Sequence, residues 1–284
     1  MSISTLTAGD VMSSPVFAVS PRDTLAHARN LMVRHKISRV LVMESETLTG
    51  VLTKKDIGYR QRQQGAAWRR RPPDQILVAE YATPDPVTVA PGTLAKAVAG
   101  IFMAKNIGCV PVVDHGTVTG IVTKSDLMKS ALVTGLRGTV RDVMEDAETV
   151  NRWHSLAHVV ALMKERDKKL MVINNDGSVA GIITETNLAF HDESRRRSGG
   201  ILYEEPRRMH ENAGTGSGSD TPGNVPVTAG DMMASPAVTI APVSTLQYAV
   251  GLMNSEQVNN LVVVEHNTLV GILKRDDIIK EVAK

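Results

Sequence analysis

The chain has 284 residues, of which 42% are hydrophobic, 22% charged and 3% aromatic. Its 32 basic and 30 acidic residues give a net charge of +2, which is too balanced for bulk binding to a nucleic acid or a membrane surface. Cys109 is the single cysteine, which excludes an internal disulfide and a cysteine-based metal site.

The start of the chain and its apolar runs bear on where the protein resides. The first ten residues, MSISTLTAGD, contain no basic region followed by an apolar stretch, so we see no signal peptide. No apolar run approaches the roughly 20 residues of a membrane span. We therefore expect a cytoplasmic protein without a membrane partner.

Two segments near the ends of the chain are nearly identical. TAGDVMSSP begins at Thr7 and TAGDMMASP begins at Thr228, and at the same offset GVLTKKD from Gly50 becomes GILKRDD from Gly271. The closing stretch occurs twice more in the middle of the chain, as GIVTKSD and GIITETN. The sequence therefore predicts four repeats of one structural unit.

Each repeat shows the same order of predicted elements. A short extended piece rich in β-branched residues, such as VFAVSP at 16–21, precedes a helix with one apolar face. Two strands follow, VLVM and LTGVLT in repeat one, and then a second helix such as KKDIGYRQR. The predicted order is β-α-β-β-α.

The first helix of every repeat has apolar residues three or four positions apart. Residues at this spacing lie on one side of a helix, so we expect them to face the core. The predicted faces are Leu25, Ala28 and Met32; Leu94, Val98 and Ile101; Leu156, Val160 and Met163; and Leu246, Ala249 and Met253.

One repeat is too small to cover both faces of its own sheet, so we expect the repeats to pair sheet to sheet. The connection between the pairs, LRGTVRDV at 136–143, leaves little slack, whereas those near 61–75 and 191–226 are long and fit as insertions inside pairs. Repeats one and two, and repeats three and four, should therefore pair. The predicted repeats are 7–62, 77–134, 138–192 and 227–284, with an arginine-bearing linker at 63–76 and a flexible linker at 193–226.

The β-α-β-β-α unit that closes on Gly, two apolar residues and [Ser/Thr]-x-x-Asp resembles the cystathionine β-synthase (CBS) domain. The VPVVD strand of repeat two adds to this likeness. Four such units in one chain are similar to the gamma subunit of AMP-activated protein kinase and its prokaryotic relatives. The resemblance implies an α+β or α/β fold in which two pseudo-symmetric CBS pairs pack as a disc. It also implies an energy-sensing regulatory protein that binds AMP, ADP or ATP and signals to a separate effector protein.

The resemblance also indicates which residues would bind the ribose. In the family, the Asp that opens the second helix holds the ribose, and the Thr three residues earlier binds nearby. These positions are Thr53 and Asp56 in repeat one, and Thr123 and Asp126 in repeat two. A carboxylate suits the task because it accepts two hydrogen bonds from adjacent hydroxyls. The same spacing also makes a helix cap, so a purely structural role stays open.

The later repeats depart from this pattern. Repeat three has Thr184 but Asn187, whose amide lacks the negative charge. Repeat four keeps Asp277 but has Lys274 at the Thr position. We therefore expect the first pair to be the better binding pair, with the second pair binding weakly, binding something else or being structural.

The resemblance further implies an adenine slot, made by the start of the first strand and by the residues just before the second. The residues there are Val16, Ile37, Ser38, Val87, Ile107 and Gly108. For the phosphates it indicates Arg39 and Lys55, of which Arg39 can bind phosphate through two parallel hydrogen bonds. Core packing and solvated surface charge are the alternatives for these two groups.

Several alternatives remain at this point. The chain contains no known catalytic motif and its eight histidines show no metal-ligand spacing, so we expect neither an enzyme nor a metal site. S-adenosylmethionine, or another adenosyl compound, is the main rival ligand. The arginine runs at 69–71 and 195–197 suggest a nucleic-acid partner, which the near-neutral charge disfavours. A scaffold without a ligand is a further alternative. The disc could be a monomer or part of a homodimer.

Overall fold

The computed structural model describes residues 5–63, 71–166, 169–184, 187 and 227–284. Repeats one and two form the first half of the chain and follow the predicted order of elements. Repeat one contains α1 (Ala8–Val11), β1 (Ala18–Val19), α2 (Leu25–Arg34), β2 (Arg39–Glu44), β3 (Thr47–Thr53) and α3 (Lys54–Gln63). Repeat two contains β4 (Thr83–Pro84), α4 (Ala95–Ala104), β5 (Cys109–Asp114), β6 (Thr117–Thr123) and α5 (Lys124–Lys129).

Repeats three and four form the second half. Repeat three contains β7 (Glu148–Asn151), α6 (Leu156–Arg166), β8 (Leu170–Ile173) and β9 (Val179–Ile183). Repeat four contains α7 (Ala229–Met232), β10 (Thr239–Ile240), α8 (Leu246–Ser255), β11 (Asn260–Glu265), β12 (Thr268–Lys274) and α9 (Arg275–Ala283). Short 3₁₀ turns lie at Pro73–Gln75, Val78–Glu80, Ala131–Gly135 and Val140–Asp142.

The strands of each repeat pair in one common pattern, with one variation. In repeats one, three and four the first strand runs parallel to the second, which pairs antiparallel with the third. In repeat two the first strand is reduced to a single bridge between Val89 and Val112. The observed architecture is thus α+β with four units of the predicted type.

The predicted helix faces are confirmed in repeats one and four. Leu25, Ala28 and Met32 are buried, and so are Leu246, Ala249 and Met253. In these repeats the helix begins directly after a Thr N-cap, whose side chain accepts a hydrogen bond from a backbone N–H of the first turn. The first apolar residue after the cap therefore points into the core.

The predicted faces are partly wrong in repeats two and three. Leu94 is 48% exposed, because it occupies the N-cap position and α4 begins one residue later. The helix then buries Ala95, Val98, Ala99 and Phe102, while Ile101 is only half-buried. In repeat three, Val159 is fully buried instead of Val160. In α4 the leucine at the cap position is not the first core residue, although Val98 is buried as predicted. In α6 only the middle residue is wrong, since Met163 is buried and Leu156 packs against the core.

Each repeat begins with a seven-residue segment that packs on the other repeat of its pair. We call these segments leaders; they are residues 7–13, 77–83, 139–145 and 228–234. The leader of repeat one forms bridges with Leu94 and Ile121 of repeat two, and the leader of repeat two returns to repeat one, where β4 pairs with β3. Repeats three and four exchange leaders in the same way. The exchange confirms the predicted pairing of repeats.

The closing glycine of each motif lies where a leader crosses the sheet. A Cβ atom at Gly50, Gly181 or Gly271 would lie 2.9, 2.6 or 2.8 Å from a carbonyl oxygen of a leader. At Gly120 the nearest atom would be the Met12 sulfur, at 2.4 Å. At the three positions that face a carbonyl oxygen, only a residue without a side chain allows this approach, so packing explains those motif glycines.

The largest buried cluster joins the two pairs. It combines the helices of repeats two and four, where α4 packs against α9, with Phe102, Leu127 and Ile278 among its fully buried members. A smaller cluster of Met171, Val262 and Ile272 packs the sheets of repeats three and four face to face. The two pairs are therefore held together by apolar burial. Within the described parts of the chain, no helix is long and apolar enough to cross a membrane.

Candidate functional site

The predicted ribose-binding Thr and Asp residues of repeats one and two are joined by hydrogen bonds where a strand meets a helix. Thr53 donates to Asp56 Oδ2 from its backbone N–H, at 2.9 Å, and from its hydroxyl, at 2.6 Å. In repeat two the Thr123 N–H donates to Asp126 Oδ2 at 2.7 Å, and the Asp126 N–H donates back to the Thr123 hydroxyl at 3.2 Å. These are helix caps, but each cap engages only one carboxylate oxygen of its Asp.

The second oxygen of Asp126 faces a residue from the leader of repeat one. The Ser13 hydroxyl donates to Asp126 Oδ1 at 2.9 Å, across 113 residues of chain. The leader holds Ser13 there because its backbone forms a bridge with Ile121. Thr83 stands at the same place in repeat one, opposite Val51. In repeat two, a neutral hydroxyl thus engages the carboxylate oxygen that the cap does not use.

The predicted phosphate and adenine positions meet at the contact between repeats one and two. The Arg39 guanidinium donates to the carbonyl of Gly108, which also accepts from the Lys124 N–H at 3.2 Å. In repeat one the carbonyl of Ser38 accepts from the Lys54 N–H at 2.9 Å. The residues just before the second strand therefore lie directly beside the Thr-x-x-Asp loop in both repeats.

Charged groups gather around this contact. Burial raises the pKa of the Cys109 thiol, and the charges of Arg39 and Asp56 act on it in opposite directions. Burial, followed by the positive charge of Arg39, lowers the pKa of Arg275 from repeat four. Arg39, Asp56, Cys109 and Arg275 are therefore electrostatic neighbours.

Arg275 is a residue that sequence analysis did not identify. Its Nη1 donates to the hydroxyl of Ser125 at 3.1 Å and to the side-chain oxygen of Asn259 at 2.8 Å. Its Nε is buried and has no hydrogen-bond partner among the described residues. A signal was present in the sequence, since Arg275 stands at the motif position that Lys54 and Lys124 occupy in the first two repeats.

The motif loops of repeats two and four touch each other in both directions. Lys124, whose side chain is 7% exposed, forms a 2.9 Å ion pair with Asp276. Arg275 contacts Ser125 in return. The second position of each motif loop thus contacts the third position of the other loop, across the interface between the pairs.

The remaining predicted binding residues are distributed around these loops. Val16, Ile37, Val87 and Ile107 are all half-buried. Ile37 packs against the core of repeat one, and Val87 and Ile107 pack against the core shared by repeats two and four. Part of their burial is therefore ordinary core packing. Lys55 is exposed at the start of α3.

Repeat three keeps the cap but changes its chemistry. Thr184 donates from its N–H and its hydroxyl to Asn187 Oδ1, at 3.0 and 2.6 Å. In this orientation the amide oxygen accepts the cap hydrogen bonds. The amide nitrogen, a donor, is the group left for the region between the motif loop and the leader residue opposite it, which we call the cleft of a repeat. The leader residue opposite is Ala234, which offers no hydroxyl. Among the described residues, this position therefore presents no carboxylate oxygen of the kind that Asp126 presents in repeat two.

Repeat four fills the equivalent region with charged side chains. Asp277 is 2% exposed and accepts from the Lys274 N–H at 2.9 Å and from Lys280 Nζ at 3.0 Å. Glu145, from the leader of repeat three, forms ion pairs with Lys274 and, at 3.1 Å, with Lys280. Both carboxylate oxygens of Asp277 are therefore already engaged by the protein.

The arginine runs are described only in part. Arg71 forms an ion pair with Glu80, which also accepts from the Leu77 N–H at 3.1 Å and so closes a 3₁₀ turn. Arg71 therefore has a structural partner within the chain. Arg69, Arg70 and the run at 195–197 lie outside the described residues.

Comparison with known families identifies the repeats. The family model of the CBS domain matches residues 8–58, 78–132, 140–193 and 229–284, which is most of the chain. The predicted recognition of four CBS repeats is therefore confirmed.

Individual relatives match shorter parts of the chain. The CBS domain-containing protein YhcV of Bacillus subtilis is 30% identical over 118 residues, which cover 42% of this chain and 80% of that protein. Inosine-5'-monophosphate dehydrogenase of Korarchaeum cryptofilum is 31% identical over 113 residues, covering 39% of this chain but only 21% of the dehydrogenase. The matching part of the enzyme is thus a small fraction of its length.

Among solved structures, protein MJ1225 of Methanocaldococcus jannaschii, described as a proposed archaeal homologue of g-AMPK, matches along the whole chain. The TM-score is 0.73 with 17% identity, and the match covers 97% of this chain and 99% of that one. At this identity the likeness establishes the fold, and it confirms the predicted arrangement of four repeats as two pairs.

Proposed function

The chain belongs to the CBS domain family, and we propose that it is a non-catalytic regulatory protein that binds an adenine nucleotide in its first pair. The ribose is held by Asp126 with Thr123, and by Asp56 with Thr53. Binding then biases the arrangement of the repeats, and a separate effector protein responds to that arrangement. This last step requires the nucleotide to bind the two arrangements with different affinities.

One observation carries the proposal. Asp126 Oδ1 accepts a hydrogen bond from the Ser13 hydroxyl, while Oδ2 closes the helix cap. A ribose hydroxyl has the same chemistry as the serine hydroxyl and can replace it without leaving a charge unpaired. A carboxylate that needs only one oxygen for the cap keeps the other for a ligand.

The cations support a phosphate-bearing ligand. Arg39 and Arg275 are close enough for the charge of one to lower the pKa of the other, and the Arg275 Nε is buried without a partner among the described residues. Two neighbouring guanidinium groups are stabilised by an anion between them, and phosphate suits their hydrogen-bonding geometry. We therefore assign the phosphates to Arg39 and Arg275, with Lys55 at the exposed edge.

The rival ligand is S-adenosylmethionine, which carries the same ribose but no phosphate. The two ligands differ in what they demand of Arg39. Replacing Arg39 with Gln keeps a donor for the Gly108 carbonyl and removes the charge. A nucleotide should then bind more weakly, whereas S-adenosylmethionine should be little affected.

Thermal unfolding tests the proposal. The wild type, Asp56→Ala/Asp126→Ala and Arg39→Gln are each heated with AMP, ADP, ATP, S-adenosylmethionine or buffer alone. A ligand at about 100 times its Kd should stabilise the wild type by about 2.7 kcal/mol and raise its midpoint. The double variant should lose this rise.

The outcomes are distinct. A rise with a nucleotide that falls in Arg39→Gln supports the nucleotide, and a rise with S-adenosylmethionine that survives in Arg39→Gln supports the rival. No rise with any of the four would reduce the Thr-x-x-Asp loops to helix caps. The arginine runs and a protein or nucleic-acid partner would then be the next candidates.

A further inference from the structure

The cleft of repeat four has the same backbone as that of repeat two but different side chains at two facing positions. The leader residue that bridges to Ile272 is Glu145, just as Ser13 bridges to Ile121. The residue that caps the helix is Lys274, where repeat two has Thr123. A neutral hydroxyl pair has thus become an acid and a base.

These two changes complement each other. Lys274 Nζ forms an ion pair with Glu145, and Glu145 also pairs with Lys280. Lys280 in turn pairs with Asp277 at 3.0 Å. The four groups carry two positive and two negative charges, so the network is neutral as a whole. A buried carboxylate such as Asp277 is tolerated only when it is paired in this way.

The network also uses the atoms that a ribose would need. Asp277 Oδ2 accepts from the Lys274 N–H, and Oδ1 accepts from Lys280. A ribose would have to displace the ammonium of Lys280 and leave Glu145 with one partner fewer. In repeat two it would displace only the hydroxyl of Ser13. The exchange is therefore unfavourable in repeat four and nearly balanced in repeat two.

Electrostatics agree with an ionised Glu145 and a protonated Lys280, while burial raises the pKa of Asp277. The hydrogen bond from Lys274 lowers the pKa of Glu145 to about 2, against its burial. Burial by itself would lower the pKa of Lys280, but its hydrogen bonds to Asp277 and Glu145 raise it. Glu145 therefore stays ionised, and Lys280 protonated, throughout the physiological range.

We infer that Glu145 and Lys274 fill the cleft of repeat four in place of a ligand, and that they set how many nucleotides the chain binds. The inference rests on the proposed nucleotide binding of the first pair. It assigns to these two side chains the exclusion of a nucleotide from a site that otherwise keeps its aspartate.

Titration calorimetry with AMP and with ATP tests this by counting the nucleotides bound per chain. Glu145→Ser/Lys274→Thr gives repeat four the side chains of repeat two, and it should bind one nucleotide more than the wild type. Adding Asp277→Ala to that variant should remove the extra nucleotide. Thermal unfolding of each variant without nucleotide establishes that it is folded.

The reverse exchange is the matched control. Ser13→Glu/Thr123→Lys places the acid and the base in repeat two, where Lys129 already stands three residues after Asp126, as Lys280 does after Asp277. This variant should bind one nucleotide fewer than the wild type. It keeps the charge balance, and a loss of binding beyond that of Thr123→Ala alone would come from the filled cleft and not from the lost threonine.

Two results would overturn the inference. One is a folded Glu145→Ser/Lys274→Thr variant with the wild-type number of nucleotides, and the other is a loss of one nucleotide when Asp277→Ala is made in the wild type alone. A wild type that binds no nucleotide refutes the proposed function instead. The inference would then still be decided by whether Glu145→Ser/Lys274→Thr gains a nucleotide.

Discussion

The clefts of repeats two and four differ less in backbone than in what their leaders present. In repeat two the leader offers the Ser13 hydroxyl to Asp126, and in repeat four it offers the Glu145 carboxylate to the two lysines around Asp277. In both repeats the motif aspartate accepts a cap hydrogen bond from the backbone N–H three residues earlier. An aspartate in the motif therefore does not by itself indicate how its second oxygen is used, because Ser13 engages that oxygen in repeat two and Lys280, which Glu145 also contacts, engages it in repeat four.

The largest expected effect is on ligand affinity, which should fall when Asp126 is replaced but not when Asp277 is replaced. Asp126→Ala removes up to two hydrogen bonds to a charged group, each contributing about 1.5–3 kcal/mol. We expect the affinity of the cleft to fall roughly 100-fold, which corresponds to about 3 kcal/mol. Asp277→Ala should leave nucleotide affinity unchanged. Titration calorimetry measures both, and equal losses would remove the distinction between the clefts.

The next effect is on stability, and it compares the glycines beneath the two leaders. Gly271→Ala brings a Cβ to 2.8 Å from the Glu145 carbonyl oxygen, whereas Gly120→Ala meets the flexible Met12 side chain. Overpacking against backbone should lower the free energy of unfolding by about 1–3 kcal/mol, and the methionine should adapt at a lower cost. The gain from a less flexible unfolded chain is common to both variants.

Urea unfolding measures this difference. Gly92→Ala is the control, because a side chain at Gly92 meets no atom within 4 Å. A Gly120→Ala variant that is destabilised as much as Gly271→Ala would show that the leaders are held equally rigidly in both pairs.

A smaller effect is expected where the two motif loops meet. Lys124 is nearly buried, but Asp276 is 43% exposed, so the coupling between them should be about 1 kcal/mol. A double-mutant cycle with Lys124→Met and Asp276→Asn measures it in urea unfolding. If the cycle closes with no coupling, the loops of repeats two and four touch without stabilising each other.

The smallest effect is the dependence of stability on pH in repeat four, because Glu145 is 41% exposed and solvent screens its ion pairs. Folding lowers the pKa of Glu145 from 4.5 to about 2, chiefly through the hydrogen bond from Lys274, so its ionised form stabilises the fold. This contribution is complete above pH 4.5 and is lost as the pH falls towards about 2. Glu145→Gln should therefore be less stable than the wild type near pH 6, and the difference should shrink in acid.

Thermal unfolding between pH 6 and pH 2 provides the comparison. Burial raises the pKa of Asp277, so its own titration acts in the opposite sense, and Glu145→Gln removes only the smaller contribution that the Glu145 charge makes to that rise. A difference between wild type and Glu145→Gln that stays constant down to pH 2 would contradict an ionised Glu145 in the network.

Much of the fold was predictable because local patterns specify it. The four closing stretches located the last strand of each repeat and the second helix of repeats one, two and four, while the second helix predicted for repeat three lies largely outside the described residues. The Thr-x-x-Asp spacing predicted the cap and supplied the ribose-binding candidates. Leu94 shows the limit of the helix pattern. A leucine at the cap position has the spacing of a core residue, and only the bridge that Thr7 makes to it shows that it precedes the helix.

The composition of each cleft was not predictable from a single repeat. Ser13 lies 113 residues from Asp126, and Glu145 lies 129 residues from Lys274. The relation appears only when the leaders are aligned across all four repeats, which places Ser13, Thr83, Glu145 and Ala234 at one position. Arg275 was overlooked for a related reason, since its neighbours come from the other pair.

The exchange of leaders also has a consequence for how the chain folds during synthesis. The leader of repeat one is made first, yet the carboxylate that Ser13 contacts is made 113 residues later. At about 5–20 residues per second, that interval lasts roughly 6 to 23 s. Repeat one emerges from the ribosome with its own leader unplaced and with the cleft of repeat two still absent. The smallest unit that can complete its contacts is thus a pair, and a chain stopped between the repeats of a pair would expose the surfaces that the leaders cover.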